Sequence, residues 1–149
     1  MNTPRCVPRS VADIMTSRVT TIAPDAPVVD AIALFGECTF RHLLVVDREG
    51  CLAGVLSDRD SLRCLARGQD PGQTRVAAIM KAEPVAVTRE TPVKDAIDLL
   101  SFHRLNCLPV LDARRHVCGI VTTTDLLATL YEILDHLAPR PAAAPSPGT

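Results

Sequence analysis

Shifted against itself by 65 residues, the chain aligns without a gap from Val11 to Leu65, and 17 of those 55 positions are identical. Val11-Ala12-Asp13-Ile14-Met15 falls on Val76-Ala77-Ala78-Ile79-Met80, and Pro27-Val28-Val29-Asp30-Ala31-Ile32 falls on Pro92-Val93-Lys94-Asp95-Ala96-Ile97. Leu43, Val45, Asp47, Gly54 and Asp60 fall on Leu108, Val110, Asp112, Gly119 and Asp125. A repeat of this kind limits the fold to two like units, each too small to bury a sizeable core alone, set against one another.

Each repeat reads the same way. A short apolar turn, Val11–Met15, leads to a β-like stretch, Val19-Thr20-Thr21-Ile22. Pro27 then suits a first helical position, where its missing N–H costs nothing. Val28, Ala31, Ile32 and Phe35 follow at i, i+3, i+4 and i+7, one apolar helical face, and Val93, Ala96, Ile97 and Leu100 reproduce it. Two β-branched runs, Leu43–Val46 and Leu52–Leu56, flank the turn composition Asp47-Arg48-Glu49-Gly50. A second helix is predicted from about Asp58, carrying Leu62, Leu65 and Ala66 inward. The expected architecture is an α/β (α+β) fold of two β-α-β-β-α repeats around a pseudo-twofold axis. Its divisions are an N-terminal segment (1–10), the first repeat (11–67), a polar linker (68–75), the second repeat (76–137) and a Pro- and Ala-rich tail (138–149) expected to be disordered.

Composition narrows the function. Lys and Arg (16) nearly balance Asp and Glu (17), and aromatics make up 3% of the chain with no Trp. That leaves neither the basic surplus nor the stacking rings of a nucleic-acid binder. The apolar stretches are far too short to cross a bilayer, and the N-terminus lacks an apolar export segment, so no membrane contact and a cytoplasmic setting are expected. Six cysteines (Cys6, Cys38, Cys51, Cys64, Cys107, Cys118) without a Cys-x-x-Cys spacing read as free thiols in an aliphatic interior.

The chemistry concentrates in a repeated Gly-x-x-Ser/Thr-x-x-Asp: Gly54…Ser57…Asp60 and Gly119…Thr122…Asp125. Each joins a strand end to a helix start, where a hydroxyl and free backbone N–H groups suit a phosphate. The carboxylate three residues on suits a ribose diol, since it accepts through two oxygens. The glycine permits close approach of a ring or backbone. The same Ser57-x-x-Asp60 and Thr122-x-x-Asp125 also fit helix capping boxes that need no ligand.

The runs Arg-His-Leu-Leu-Val-Val-Asp…Gly-Val-Leu-Ser-Asp-Arg-Asp and Asn-Cys-Leu-Pro-Val-Leu-Asp…Gly-Ile-Val-Thr-Thr-Thr-Asp resemble those of cystathionine-β-synthase (CBS) domains, over about residues 11 to 135. The resemblance implies a paired, non-catalytic module that binds adenosyl ligands in clefts between its domains and dimerises into a flat disc. Carried over, it places Thr122 and Asp125 opposite Thr16, Val19, Thr20, Phe40, Arg41 and His42. It places Ser57 and Asp60 opposite Lys81, Pro84, Val85, Leu105, Asn106 and Cys107. Arg41, Lys81 and Arg59 are the phosphate partners it suggests, and the arginine-lined cleft is the one suited to a charged nucleotide. No cofactor is required, and the regulatory ligand is expected among AMP, ADP, ATP, a dinucleotide and S-adenosylmethionine. The expected partners are a second molecule of the chain and an effector protein.

Two other constellations stand beside this one. Cys38-x-x-x-His42 aligns with His103-x-x-x-Cys107, a set with the chemistry of tetrahedral zinc. Its spacing is that of no recognised finger, and buried thiols beside solvent-facing histidines account for it, so no metal is expected. Arg59, Arg63 and Arg67 form an i, i+4, i+8 stripe, read as a solvated face or a docking strip for an acidic partner. No Gly-x-Ser-x-Gly nucleophile elbow occurs, and Ser57 occupies a cap position, so no hydrolase is expected. The alternative to a ligand sensor is a ligand-free scaffold that dimerises and presents a surface.

Overall fold

The computed structural model describes residues 7–138. Cys6 and nearly all of the proposed tail lie outside the described residues. In chain order the elements are β1 (Thr21–Ile22), α1 (Val28–Glu37), β2 (His42–Val46), β3 (Leu52–Ser57), α2 (Asp58–Ala66), β4 (Lys81–Ala82), β5 (Val87–Thr88), α3 (Val93–His103), β6 (Cys107–Leu111), β7 (Val117–Thr122) and α4 (Thr123–Leu137). Short 3-10 turns at Val11–Asp13 and Val76–Ala78 open the two repeats. The β-α-β-β-α order holds in both.

The sheets run β1-β2-β3-β4 and β5-β6-β7. In each, the first strand lies parallel to the next and the following pair forms an antiparallel hairpin in matching register, His42 opposite Ser57 and Cys107 opposite Thr122. Cys51 and His116, equivalent positions of the two repeats, pair with each other as an antiparallel bridge, which places them at the pseudo-twofold axis. Leu44, Val55, Cys107 and Ile120 form a shared core between the sheets.

The repeats exchange their leading segments. Val11 is buried with Val87, Ala96, Leu100, Leu108, Val110 and Val121 of the second repeat. Val76 is buried with Ile22, Ala31, Leu43, Val45 and Leu56 of the first. The Val11 N–H donates to Thr91 O at 2.8 Å, and the Val76 N–H to Ala26 O at 2.8 Å. From there Thr16 bridges to Ile120 on β7, and Lys81 pairs with Val55 on β3. Each core therefore needs the other repeat's chain to close. An apolar residue in a short turn fits either core, so its sequence position does not say which one takes it.

Three expectations shift in detail. Pro27 and Pro92 are the N-caps of α1 and α3, with extended ψ of 147° and 141°, instead of their first turns. The next N–H groups are taken by Thr74 O (2.9 Å) for Val28 and Arg9 O (3.0 Å) for Val93, so residues 68–75 lie along the start of α1. The strand expected over Val19–Ile22 is confined to Thr21–Ile22. Most consequential, α2 turns Ser61 and Cys64 inward, not Leu62, Leu65 and Ala66. Leu62 is 62% and Leu65 45% exposed. The Ser57 cap fixes where the helix begins on the end of β3, and that phase decides which side chains meet the sheet.

Candidate functional site

Strand β3 ends at Ser57 and α2 begins at Asp58; strand β7 ends at Thr122 and α4 begins at Thr123. Both junctions close as complete capping boxes. The Ser57 N–H and hydroxyl donate to Asp60 Oδ2 at 2.9 and 2.7 Å, and the Asp60 N–H donates back to Ser57 Oγ at 3.3 Å. The Thr122 N–H and hydroxyl donate to Asp125 Oδ2 at 2.7 and 2.8 Å, with the return bond at 3.2 Å. One oxygen of each carboxylate is thus committed to the cap. The other, Oδ1, meets Arg63 Nη1 at 3.1 Å in the first repeat and the Thr16 hydroxyl at 3.3 Å in the second.

The two junctions open into one continuous cleft of about 1090 Å³ between the repeats. Its wall carries Ser57, Asp60, Thr122, Asp125, Thr16, Val19, Thr20, Phe40, Arg41, His42, Lys81, Pro84, Val85, Leu105, Asn106, Cys107 and Arg59, which the sequence singles out. The two clefts that the resemblance implies run together here as the two ends of this space. The Thr16–Asp125 bond joins the repeats as carried over, but Arg41 and His42 also stand beside their own repeat's motif. His42 is opposite Ser57 in register, and the Asp58 N–H donates to Arg41 O at 3.1 Å. The β2/β3 hairpin makes that adjacency unavoidable.

Gly54 and Gly119 are not on the cleft wall. A Cβ on Gly54 would lie 2.6 Å from Met80 Sδ and 2.8 Å from Lys81 O, and one on Gly119 would lie 2.9 Å from Met15 Sδ and 3.1 Å from Thr16 O. The close approach these glycines permit is that of the exchanged segment on the neighbouring strand, not of a ligand.

Arg18, Thr39, Glu83 and Arg104, which sequence reasoning missed, and Arg63 and His103, which it had placed in the basic stripe and the zinc-like set, also line the cleft. Equivalence within the repeat was the available signal, because Arg18 aligns with Glu83 and Thr39 with Arg104. Glu83 (φ 49°) and Arg104 (φ 53°) both hold left-handed backbone, strained for side chains of this kind. Arg18, Arg41, Arg59, Arg63, Lys81 and Arg104 face Asp58, Asp60, Glu83 and Asp125 there, an excess of two positive charges on a chain whose formal charge is −1. The cleft is therefore electropositive within a nearly neutral molecule, the setting that concentrates an anion.

Burial lowers the His42 pKa from its ordinary value; Asp58 and Asp60 pull it back up, and Arg41 and Arg59 oppose them. Its counterpart Cys107 is pushed up to about 11 by burial, against a lowering by Lys81, so its thiol is neutral at physiological pH. Cys38, His42, His103 and Cys107 are not gathered: among the described residues no three His, Cys, Asp or Glu side chains form a metal-holding group. Cys107 is buried and His103 exposed, the expected thiol-in, imidazole-out arrangement, whereas in the first repeat Cys38 is exposed at the end of α1 and His42 half-buried. Cys51 and Cys118 are half-buried and Cys64 and Cys107 buried, all as free thiols. Of the basic stripe, Arg59 and Arg63 border the cleft, so it is not merely a solvated face.

A family model described as the CBS domain matches the chain twice, at residues 11–67 and 76–132. The CBS domain-containing protein YhcV of Bacillus subtilis (strain 168) is 36% identical over 118 residues, 78% of this chain and 82% of that protein. The crystal structure of CBSX2 in complex with AMP superposes with a TM-score of 0.73 at 30% identity, covering 84% of this chain and 98% of that one. The CBS domain pair of protein MJ0100, in complex with 5-methylthioadenosine and S-adenosyl-L-methionine, superposes with a TM-score of 0.75 at 25% identity, covering 81% and 98%.

Proposed function

The chain belongs to the CBS domain family, and from that premise we propose that it is a non-catalytic regulatory module whose inter-repeat cleft binds an adenine nucleotide or another adenosyl ligand. Occupancy changes the tilt of the two repeats, and an effector protein reads that change. The observation that carries this reading is the single electropositive cleft with a hydroxyl–carboxylate pair at each end, Ser57–Asp60 and Thr122–Asp125. Helix N-termini and guanidinium groups suit phosphate, and the carboxylates suit a ribose diol. Similar CBS pairs in complex with AMP and with S-adenosyl-L-methionine support the ligand class. Because each repeat's core borrows a segment of the other, a ligand spanning the cleft acts on both cores, which supports a conformational output. No described helix is long and apolar enough to cross a membrane.

Thermal melts with AMP, ADP, ATP and S-adenosylmethionine test it. A ligand that binds only the folded chain raises Tm. The wild type gains Tm at saturation with at least one of the four, while the Asp60→Ala, Asp125→Ala double variant stays folded and gains none. Losing each carboxylate costs on the order of 1.5–3 kcal/mol of binding, about 10- to 150-fold. It also removes a cap worth about 1 kcal/mol of stability, so the ligand-induced shift decides, not the starting Tm. A wild type that shifts with none of the four refutes the sensor. The surviving reading would then be a ligand-free scaffold, which the closed capping boxes and the exposed leucines of α2 and α4 favour. In either case we infer a homodimer that covers those leucines.

A further inference from the structure

The two ends of the cleft repeat each other through the cap and part company three residues later. Arg63 follows Asp60, whereas Ala128 follows Asp125. Asp60 Oδ1 is taken by the Arg63 guanidinium at 3.1 Å, while Asp125 Oδ1 meets the neutral Thr16 hydroxyl at a long 3.3 Å. Since Oδ2 of each carboxylate is held by its cap, Oδ1 is the oxygen a ribose diol would have to reach. We propose that Arg63 is a specificity-determining residue that makes the Asp60 end of the cleft selective for phosphorylated adenosyl ligands, leaving the Asp125 end, which the resemblance had marked for the charged nucleotide, open to uncharged ones. This rests on the adenosyl reading above.

The chemistry is one of exchange. The Arg63 side chain is 66% exposed and Asp60 23%, so their pair is weak and a ligand can open it. A diol arriving at Asp60 displaces a guanidinium that lines the same cleft and that the ligand then shields from water. A guanidinium left there without an anion is unfavourable. A ligand phosphate resolves this by accepting the fork of N–H donors, whereas an uncharged nucleoside offers nothing in return. At Asp125 the displaced group is a hydroxyl, and no charge is stranded.

Calorimetry with AMP and adenosine on the full chain tests the proposal. In an Asp125→Asn background, which leaves the Asp60 end as the intact site, Arg63→Ala should weaken AMP about tenfold. Adenosine should hold its affinity or gain up to about fivefold, the size of the exposed pair it no longer opens. The AMP-over-adenosine preference therefore falls tenfold or more, and Arg63→Lys, which keeps the charge without the fork, falls between. The reciprocal variant, Ala128→Arg in an Asp60→Asn background, places the arginine on an exposed helical site and should create an AMP preference at the other end. A preference unchanged by either substitution overturns the proposal. If the wild type binds neither AMP nor adenosine this inference has failed, and the adenosyl reading fails with it only if ADP, ATP and S-adenosylmethionine are refused as well; AMP bound with an unaltered preference sinks this inference alone.

Discussion

The two strand-to-helix junctions share a cap to within a few tenths of an ångström and then lead into different helices. After Ser57, α2 runs nine residues and buries Ser61 and Cys64; after Thr122, α4 runs fifteen and buries no residue fully. On α4 the exposed apolar residues are Leu127 (66%), Leu130 (49%), Tyr131 (71%), Leu134 (56%) and Leu137 (74%), against Leu62 and Leu65 on α2. The cap is kept because it satisfies helix N–H groups wherever a strand delivers its chain into a helix, so it belongs to the fold. What differs beyond it, Arg63 facing the cleft and the leucine face of α4, is free to carry function. Contiguous exposed apolar surface of that kind calls for a cover.

The largest effect should come from that difference. If α4 is the main contact between two molecules, the wild type sediments at twice the 16.0 kDa chain mass, and Leu130→Glu with Leu134→Glu sediments as a monomer. Four leucines per dimer at about 1.5 kcal/mol or more each put the loss at roughly 6 kcal/mol. Leu62→Glu with Leu65→Glu should weaken association much less. Equal effects from the two pairs would make the helices equivalent partners, and a wild type that is monomeric at micromolar concentration would remove the dimer.

The glycines sharpen the comparison at the strands. Gly54→Ala brings a methyl to 2.8 Å from a backbone carbonyl, whereas Gly119→Ala brings it to 3.1 Å. In both, the nearest sulfur can swing aside, but the carbonyl cannot. Overpacking of this sort costs about 1–3 kcal/mol. Gly54→Ala should fall toward the upper end and Gly119→Ala toward the lower, read from urea unfolding midpoints. Equal losses, or the reverse order, would mean that the exchanged segments yield more readily than their register suggests.

Much of this was legible in the sequence because the physics is local. Hydrophobic periodicity gave the order of elements and the spacing Ser57-x-x-Asp60 gave the cap, while the resemblance to CBS domains was what put the carboxylate in a cleft. The exchange of leading segments was not legible, since Val11 and Val76 are apolar residues with no address and the pairing is decided by geometry far along the chain. Nor was the inward face of α2, where hydrophobicity pointed to Leu62 and Leu65 and the helix start imposed Ser61 and Cys64. Gly54 and Gly119 were read as letting a ring or a backbone come close, and the groups beside them are backbone carbonyls and methionine sulfurs of the exchanged segments. Arg63 read as one charge in a solvated stripe, because an i, i+3 pair with Asp60 does not declare that the carboxylate also lines a cleft.

The smallest expected effect separates His42 from Cys107, which occupy equivalent positions opposite Ser57 and Thr122. Cys107, pushed up to about 11, carries no charge across the physiological range. The His42 pKa is lowered chiefly by burial, so the folded chain resists a proton that the unfolded chain accepts. Above the ordinary histidine value of about 6.5 neither state is protonated and His42 contributes no pH dependence. As pH falls through that value the unfolded state takes up the proton first, and stability declines until the lower folded pKa is passed. Urea unfolding at pH 7.5 and pH 5.5 should therefore show the wild type losing more stability on acidification than His42→Gln. The difference should be modest, because His42 is only half-buried and Asp58 and Asp60 oppose the shift. A His42→Gln chain that loses as much as the wild type would place the acid sensitivity in groups other than His42, such as the carboxylates that the two repeats share.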